Sequence, residues 1–325
     1  MIDAAIIGLG RWGQGFVEEV QGKSPRLRFV RGVDRGVDKI RDYAAQHGFT
    51  PTDSLADVLC DPAIQAVVLA TPHSLHREQV VACAEAGKQV FCEKPFALQL
   101  RDARRMVEAC RHAGVVLGVG TNRRFWPSFR TLKEIVVRGE LGDILHIEGH
   151  NSNENSNAVL GGWRLEPSES PAGGMTGAGL HVLDAFVSLL GPVRRIHAQL
   201  LERKPPPAPI DSLTLTLEFA GGISGQMATV RAMPLFFRVH VFGTRGSAEL
   251  RGETEVTVRL RSAAPRTLTF APVASQRAEI EAFCDAVEGR APYPVDAAQI
   301  LATVAAFEAT VRAVETGGPV EVDPV

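Results

Sequence analysis

The sequence of 325 residues lacks long hydrophobic runs. Its apolar stretches, such as Ala66 to Ala70 and Gly114 to Gly120, fall far short of the ~18–20 residues that span a bilayer. A predicted strand and a glycine turn begin almost at the first residue, which leaves no room for a signal peptide. The sequence therefore predicts a cytoplasmic protein that has no membrane anchor.

Cysteine is also scarce. The five cysteines are an odd number and never occur as C-x-x-C, so neither a disulfide framework nor a zinc site is indicated. We expect them to be small buried hydrophobic residues. They are Cys60, Cys83, Cys92, Cys110 and Cys284.

The sequence also lacks a large excess of positive or negative charge. Lys and Arg number 35 against 37 Asp and Glu, a net charge of −2, and no basic block occurs. This excludes the electrostatic footprint of a nucleic-acid or anionic-membrane partner and favours a small-molecule substrate. The length and the 45% hydrophobic content suit about two domains. We place them at residues 1–120 and 121–325.

Residues 2 to 119 alternate short apolar strands with amphipathic helices, which is typical of βαβ units and a parallel sheet. The predicted strands are Ala4 to Ile7, Leu27 to Val33, Ala66 to Ala70, Gln89 to Cys92 and Val115 to Val119. The predicted helices are Gly13 to Val20, Val37 to His47, Ser54 to Leu59, Leu75 to Ala86 and Leu100 to His112.

From about residue 121 the pattern becomes that of an α+β domain with a large, mostly antiparallel sheet. Helices are predicted at Phe129 to Arg138, Leu180 to Leu190, Arg277 to Glu288 and Ala297 to Glu315. Strands are predicted at Ile144 to Gly149, Leu213 to Phe219, Ile223 to Val230, Phe237 to Phe242, Ala248 to Leu250, Glu255 to Leu260 and Thr267 to Phe270. Two surface segments are also predicted. Asn151 to Asn157 is predicted as a loop over a site, and Lys204 to Pro209 as a connection between elements.

The predicted antiparallel sheet leaves one face uncovered by helices. Such a face often becomes a subunit interface, so we expect a homo-oligomer, a dimer or a tetramer. The alternative is a solvated face of Thr and Ser side chains.

A glycine-rich turn follows the first predicted strand and opens a predicted helix. It reads Gly8-Leu9-Gly10-Arg11-Trp12-Gly13. In this context G-x-G-x-x-G indicates dinucleotide binding, with the phosphates at the helix N-terminus. The alternative is an ordinary glycine turn.

An acidic residue ends the next predicted strand. Asp34 lies close to the ~20 residues beyond the last glycine that are expected for a ribose-binding acid. Its carboxylate favours NAD, whereas the neighbouring Arg35 could pair with the 2′-phosphate of NADP. The cofactor expected is NAD, with NADP as the alternative.

Two further residues carry chemistry. Lys94 follows a buried strand at the sheet edge where ligands of open α/β sheets bind, and it is one of only six lysines. His181 lies near the start of an apolar helix, after a glycine-rich loop. Taken alone, each also fits a surface lysine or a structural histidine.

As a set, several motifs resemble the Gfo/Idh/MocA oxidoreductase family. They are the glycine turn, Ala70-Thr71-Pro72 with His76, Glu93-Lys94-Pro95, Asn122-Arg123-Arg124-Phe125, Gly139-Glu140-Leu141-Gly142, Trp163-Arg164 and Gly179 to Asp184. The resemblance implies a Rossmann domain that binds NAD(P), a second domain with an open-faced sheet, a site between the two, and a cis Lys94–Pro95 bond. It implies that Thr71, Pro72, His76 and Glu93 bind the cofactor.

The resemblance also implies a catalytic pair, Lys94 and His181. In our hypothesis His181 is the general acid or base, while Lys94 holds the reacting oxygen. The substrate would be a sugar, polyol, cyclitol or related hydroxy compound. Its expected contacts, besides the catalytic pair, are Asn122, Arg123, Trp163, Arg164 and Thr176.

One position departs from the family pattern. An aspartate usually lies four residues before the catalytic histidine, but here the residue is Gly177. Asp184 could compensate from one helical turn beyond His181. Without an acid, the chain could instead be a non-catalytic NAD(P) sensor, and an NAD-assisted glycosidase is a further alternative.

Two charged motifs leave alternatives open. Arg123 and Arg124 could bind a substrate carboxylate or form salt bridges at the domain junction. His73 and His76 have the spacing of a metal pair, but no third ligand is apparent, so no metal is expected.

Overall fold

The computed structural model describes residues 1–153, 162–204 and 210–325. They form two compact units. The first unit contains Met1–Asn122 and Ala274–Ile300, and the second contains Arg123–Val273 and Leu301–Val325. The division into a cofactor domain at 1–120 and a substrate domain at 121–325 stays a prediction.

The first unit is built on six parallel strands in the order β3-β2-β1-β4-β5-β6. These are β1 Ile2–Ile7, β2 Leu27–Val33, β3 Thr50–Thr52, β4 Ala66–Leu69, β5 Gln89–Glu93 and β6 Leu117–Gly120. The helices are α1 Arg11–Val20, α2 Val37–His47, α3 Leu55–Cys60, α4 His76–Glu85 and α5 Leu100–Ala113. This order is that of a Rossmann fold, so the predicted parallel α/β class is confirmed.

The strands of this unit form because their apolar residues are covered on both faces. All four residues of β4 are buried, as in a sheet with helices on each side. Helix α5 ends at Gly114, whose φ of 66° is left-handed and favours glycine. Strand β3 was not predicted, because it has three residues and contains Pro51.

Residues far along the chain complete the first unit. The ring of Phe283 on helix Ser275–Val287 lies 5.8 Å from that of Phe91 on β5, edge to face. The hydroxyl of Tyr293 donates to the carbonyl of Val119 on β6 at 2.9 Å. Residues 274–300 therefore supply part of the core of this unit.

The second unit contains a sheet of nine strands in the order β14-β13-β12-β11-β7-β10-β9-β8-β15. They are β7 Ile144–Ser152, β8 Val193–Lys204, β9 Ile210–Phe219, β10 Ser224–Val230, β11 Phe236–Gly243, β12 Gly246–Arg251, β13 Glu255–Leu260, β14 Arg266–Thr269 and β15 Val320–Glu321. All neighbouring strands are antiparallel except β7 and β10, which are parallel. The predicted large, mostly antiparallel sheet is confirmed.

Helices α6 Pro127–Val137 and α7 Gly179–Leu190 pack against this sheet, α6 on β12 and β13 and α7 on β7 and β10. Strand β8 was not predicted, since eight of its residues are exposed and many are charged. The predicted loop Asn151 to Asn157 was wrong at its start, because Asn151 and Ser152 end β7. The rest of that loop from residue 154, and residues 205–209 of the predicted connection, lie outside the described residues.

The opposite face of the sheet carries a cluster of charged side chains, which we call the open-face ion network. Arg238 pairs with Glu148 and lies 2.8 Å from Glu249. Arg251 and Arg259 approach Glu249 at 3.2 and 3.6 Å. Consecutive strands in register bring these residues onto one face.

One described helix, Ala297–Thr316, is long and apolar enough to cross a membrane by length and composition alone. More than half of its apolar stretch is buried within the protein. Ala306, Phe307 and Ala309 are fully buried, as in a core helix that passes the same test. The helix itself was predicted at Ala297 to Glu315, but polar residues interrupt its apolar sequence, so it contains no long hydrophobic run. The cytoplasmic location stays a prediction.

Candidate active site

The glycine turn has the backbone that a bound diphosphate requires. Gly8 has a φ of +91°, and a Cβ there would lie 2.7 Å from the carbonyl oxygen of Ala70. A Cβ on Gly13 would collide with the carbonyl oxygen of Gly8, so close packing of α1 on the turn needs glycine. A Cβ on Gly10 would meet nothing within 4 Å, which leaves the N-terminus of α1 open. The turn therefore fits a dinucleotide phosphate.

Asp34 lies directly against this turn. Its two carboxylate oxygens accept hydrogen bonds from the backbone N–H groups of Leu9, at 3.0 Å, and Gly36, at 2.9 Å. Asp34 is partly buried, whereas Arg35 and Arg11 are exposed. The structure thus brings the predicted ribose-binding acid and the glycine turn together.

His76 connects the turn that contains the predicted cofactor residues Thr71 and Pro72 to the turn after β5. Its fully buried ring lies with Nε2 3.2 Å from the carbonyl oxygen of Thr71 and Nδ1 2.9 Å from that of Pro95. The turns after β4 and β5, the first of which includes Pro72, are thereby held at one edge of the sheet. The Lys94–Pro95 peptide bond is cis, which confirms the expectation from the resemblance.

The rings of His73 and His76 lie 5.9 Å apart, edge to face. Within residues 1–153, 162–204 and 210–325, no group of three His, Cys, Asp or Glu side chains is arranged to hold a metal ion.

Glu93 connects the end of β5 to the glycine turn. Its side chain is buried, accepts the backbone N–H of Lys94 at 3.0 Å, and fills space that a Cβ on Gly120 would need. The indole N–H of Trp12 lies near the same carboxylate, although not in ordinary hydrogen-bond geometry. Burial raises the pKa of Glu93 to about 7, against the opposing effects of the Lys94 charge and the Trp12 N–H.

This raised pKa predicts a pH-dependent stability. The folded state binds the Glu93 proton more tightly than the unfolded chain does. Protonated Glu93 therefore stabilises the folded state fully below about pH 4.5, and this stabilisation is lost as the pH rises to about 7. We expect Glu93→Gln to remove this loss, about 3 kcal/mol in the free energy of unfolding. Urea unfolding of both proteins at pH 5 and pH 8 measures it.

Glu108→Gln is the matched control. The exposed Glu108 carboxylate accepts hydrogen bonds from Arg111, and its pKa is lowered to about 2, so it is ionised throughout this range. An equal pH dependence in Glu93→Gln and the unmodified protein would contradict the prediction.

In the second unit, His181 lies buried in the first turn of α7. The side-chain amide of Asn151 on β7 donates to the carbonyl of Ala178 at 2.6 Å, immediately before that helix. The start of α7 is therefore fixed to the sheet by a hydrogen bond.

The glycine-rich loop before α7 rests on a buried ion pair that the sequence analysis missed. Arg231 Nε lies 3.1 Å from Asp211 Oδ2, and the Asp211 carboxylate lies beside the backbone N–H of Gly174. The period of two in β9 places Asp211 on the same face as Leu213, a buried apolar face. A charge in that position was the signal that a partner must be present.

Thr176 and Gly177 take different positions in this loop. Thr176 is buried, and its hydroxyl donates to the carbonyl of Pro171 at 2.9 Å. Gly177 is exposed, and a Cβ there would meet nothing within 4 Å among the described residues. No described side chain therefore fills the space where the family pattern has an aspartate.

Asp184 forms a buried ion pair with Arg124. The guanidinium donates from Nε to Oδ2 at 2.8 Å and from Nη2 to Oδ1 at 2.7 Å. This bidentate pairing engages both carboxylate oxygens of Asp184. That Asp184 compensates for Gly177 stays a prediction. For Arg124, the salt-bridge alternative is confirmed, within the second unit.

Arg123 has a different environment from Arg124. Its guanidinium carbon lies 4.3 Å from the ring centre of Phe237 and 5.1 Å from that of Trp126. Nη1 is buried and has no hydrogen-bond partner among the described residues. Burial lowers the pKa of Arg123 to about 9, so it remains a cation at neutral pH.

The remaining predicted substrate residues lie in separate places. In the first unit, the amide of Asn122 donates to the hydroxyl of Ser275 at 3.1 Å. In the second unit, Trp163 and Arg164 lie in the short 3-10 turn Gly162–Leu165, with the guanidinium carbon 4.1 Å from the indole ring centre. Their contact with substrate stays a prediction.

Comparison with known proteins agrees with this architecture. Residues 2–121 match the model of the oxidoreductase family GFO_IDH_MocA, with an NAD-binding Rossmann fold, and residues 129–249 match the C-terminal domain of the same family. The chain belongs to the GFO/IDH/MocA family. The predicted resemblance is confirmed, and the chain is an oxidoreductase of an NAD-binding family.

Relatives of the chain cover nearly its full length. It is 26% identical to scyllo-inositol 2-dehydrogenase (NAD(+)) of Bacillus subtilis strain 168, over 99% of this chain and 96% of that protein. It is 29% identical to 1,5-anhydro-D-fructose reductase of Ensifer adhaerens, over 86% of this chain and 87% of that protein. A crystal structure of a putative NADPH-dependent oxidoreductase from Desulfitobacterium hafniense DCB-2 has a TM-score of 0.87 at 26% identity. The match covers 98% of this chain and 97% of that chain.

Proposed function

We propose that this oxidoreductase interconverts a secondary alcohol and a carbonyl in a sugar, polyol, cyclitol or related hydroxy compound, with NAD. The names of the inositol and anhydrofructose relatives support this class. The observation that carries it is the position of Glu93, which accepts the Lys94 N–H and lies near Trp12 of the glycine turn.

The cofactor would be held by the glycine turn and by the turns after β4 and β5. A nicotinamide cofactor held there would supply the hydride acceptor or donor. Asp34 supports a preference for NAD, because a carboxylate beside the turn accepts ribose hydroxyls and repels a 2′-phosphate. The proposed cofactor residues are Gly8, Gly10, Arg11, Trp12, Gly13, Asp34, Arg35, Thr71, Pro72, His76 and Glu93.

His181 and Lys94 are the proposed catalytic residues. When the alcohol is oxidised, the imidazole of His181 takes the hydroxyl proton, and in reduction it returns the proton. The ammonium of Lys94 donates a hydrogen bond to the reacting oxygen and stabilises the negative charge that develops there. The remaining proposed substrate contacts are Asn122, Arg123, Trp163, Arg164 and Thr176.

The direct test measures reduced-nicotinamide absorbance with the purified protein, NAD or NADP, and a panel of sugars, polyols, cyclitols and sugar acids. We expect turnover with at least one member and a higher kcat/KM with NAD. Cofactor binding without turnover across the panel would favour the sensor, for which Gly177 is the supporting feature. Sugar release with no net change of the cofactor would favour the glycosidase.

We further propose that the protein is a homo-oligomer that associates through the open face of the second sheet. The apolar Phe236, 46% exposed, lies on this face beside the open-face ion network, so the face offers both burial and complementary charges. We expect a dimer or tetramer by light scattering, and dissociation in Phe236→Asp. Val137→Asp, which changes an exposed residue at the end of α6, is the control. A monomer in the unmodified protein would contradict the proposal.

A further inference from the structure

Arg123 is half-buried, and it differs from the two buried arginines of its unit because no carboxylate of the described residues is paired with it. Arg124 is paired with Asp184, and Arg231 with Asp211. The contacts of the Arg123 guanidinium with described residues are with two aromatic rings, Trp126 and Phe237. Its charge is therefore not neutralised by a neighbouring acid in residues 1–153, 162–204 and 210–325.

An unpaired guanidinium in this environment is costly without a ligand. Burial removes water from the cation, and the two aromatic faces return part of that energy through cation–π attraction. They offer no acceptor to Nη1, which is buried and unbonded. A planar oxyanion is the group that satisfies such donors, because it accepts two parallel hydrogen bonds and carries the opposite charge.

Two series of contacts connect Arg123 to α7, the helix that contains His181. The next residue, Arg124, forms the bidentate pair with Asp184, one helical turn beyond His181 on α7. Phe237, beneath the guanidinium, is the register partner of Asn151, whose amide holds the Ala178 carbonyl before α7. Arg123 is therefore connected within the second unit to the helix that contains the proposed acid–base residue.

We propose that Arg123 binds a carboxylate of the substrate, so that the substrate is an acidic hydroxy compound such as a uronic or aldonic acid. This inference rests on the proposed function and narrows it. The carboxylate accepts hydrogen bonds from the guanidinium, while the hydroxyl that reacts lies on another carbon of the same molecule. A neutral polyol leaves the Arg123 charge unpaired and binds more weakly.

The cofactor diphosphate is the other source of an oxyanion. The first unit already provides for it, since the glycine turn offers the open N-terminus of α1. We therefore assign the Arg123 partner to the substrate. The NAD affinity of an Arg123 variant distinguishes the two sources of the oxyanion, the cofactor and the substrate.

The experiment measures binding by calorimetry to the full-length protein saturated with NAD. The probes are D-glucuronate, D-galacturonate and D-gluconate, each paired with its neutral amide. We expect at least one acid to bind about tenfold more tightly than its amide, the ratio that one charge-assisted contact provides. In Arg123→Gln this ratio falls to about one, while the NAD affinity is unchanged.

Two variants keep the test decisive. Arg123→Lys retains the charge but not the fork of donors, so it keeps part of the acid preference. Arg130→Gln is the matched control, because exposed Arg130 also lies over an aromatic ring, Phe125 at 5.2 Å, and is expected to retain the full ratio.

Three results would overturn the inference. The first is equal binding of each acid and its amide, with neutral polyols oxidised, which leaves the proposed function intact. The second is an unchanged ratio in Arg123→Gln. The third is a loss of NAD affinity in that variant, which assigns the oxyanion to the cofactor. Failure of the unmodified protein to bind NAD would instead refute the proposed function.

Discussion

Replacing Lys94 or His181 with alanine is expected to lower kcat by about 10²- to 10⁴-fold. In the proposed mechanism His181 takes the hydroxyl proton and the Lys94 ammonium stabilises the charge on the reacting oxygen, so each variant removes one of these two contributions. Steady-state kinetics with a substrate from the panel measures both effects. The double variant should lose less than the product of the two single losses, because both residues serve one proton transfer.

The controls for this prediction change exposed residues of the same types. Lys23→Ala and His112→Ala alter side chains that lie on the surface of the first unit. All four variants should keep the NAD affinity and the thermal midpoint near those of the unmodified protein. Near-native kcat in Lys94→Ala or His181→Ala would refute the assignment of that residue.

Replacing Asp184 with alanine is expected to lower the free energy of unfolding by about 3–5 kcal/mol. The change leaves Arg124, whose side chain is 4% exposed, as a buried cation without its bidentate partner. Urea unfolding followed by circular dichroism measures the loss, and Arg124→Met with Asp184→Leu should recover much of it, since both charges are then removed.

An exposed ion pair in the same unit provides the control. Glu134 and Arg138 lie one turn apart on α6 at 3.4 Å, with side chains 63% and 68% exposed. Glu134→Ala should cost less than about 1 kcal/mol, because water screens the pair. A loss below about 1 kcal/mol in Asp184→Ala would show that the buried pair does not stabilise the fold as we argue.

The Rossmann unit was predictable because its signals are local. Buried parallel strands appear as continuous apolar runs such as Ala66 to Leu69, and glycines mark the ends of the helices and the phosphate turn. The position of Asp34 also follows from local spacing, since β2 ends at the edge where β1 ends. The five parallel strands that were long enough to be recognised therefore led directly to the dinucleotide turn.

The contacts in the second unit depended on residues that are distant in sequence. The pairing of Asp184 with Arg124, 60 residues away in the sequence, does not follow from the local pattern around either residue. The charged residues of β8 hide the alternating apolar pattern of a strand, because most of its side chains are exposed and need not be apolar. Spacing alone likewise does not predict that Phe237 and Trp126 lie against Arg123.

The return of residues 274–300 to the first unit has a consequence for biosynthesis. When a ribosome has released Met1–Asn122, neither Phe283 nor Tyr293 has yet been made, and the surfaces of Phe91 and Val119 that they cover are still open. Almost the entire second sheet, through β14, emerges before that cover arrives. The nascent dinucleotide unit thus stays incomplete during most of translation, and its final packing is a late, nearly post-translational event.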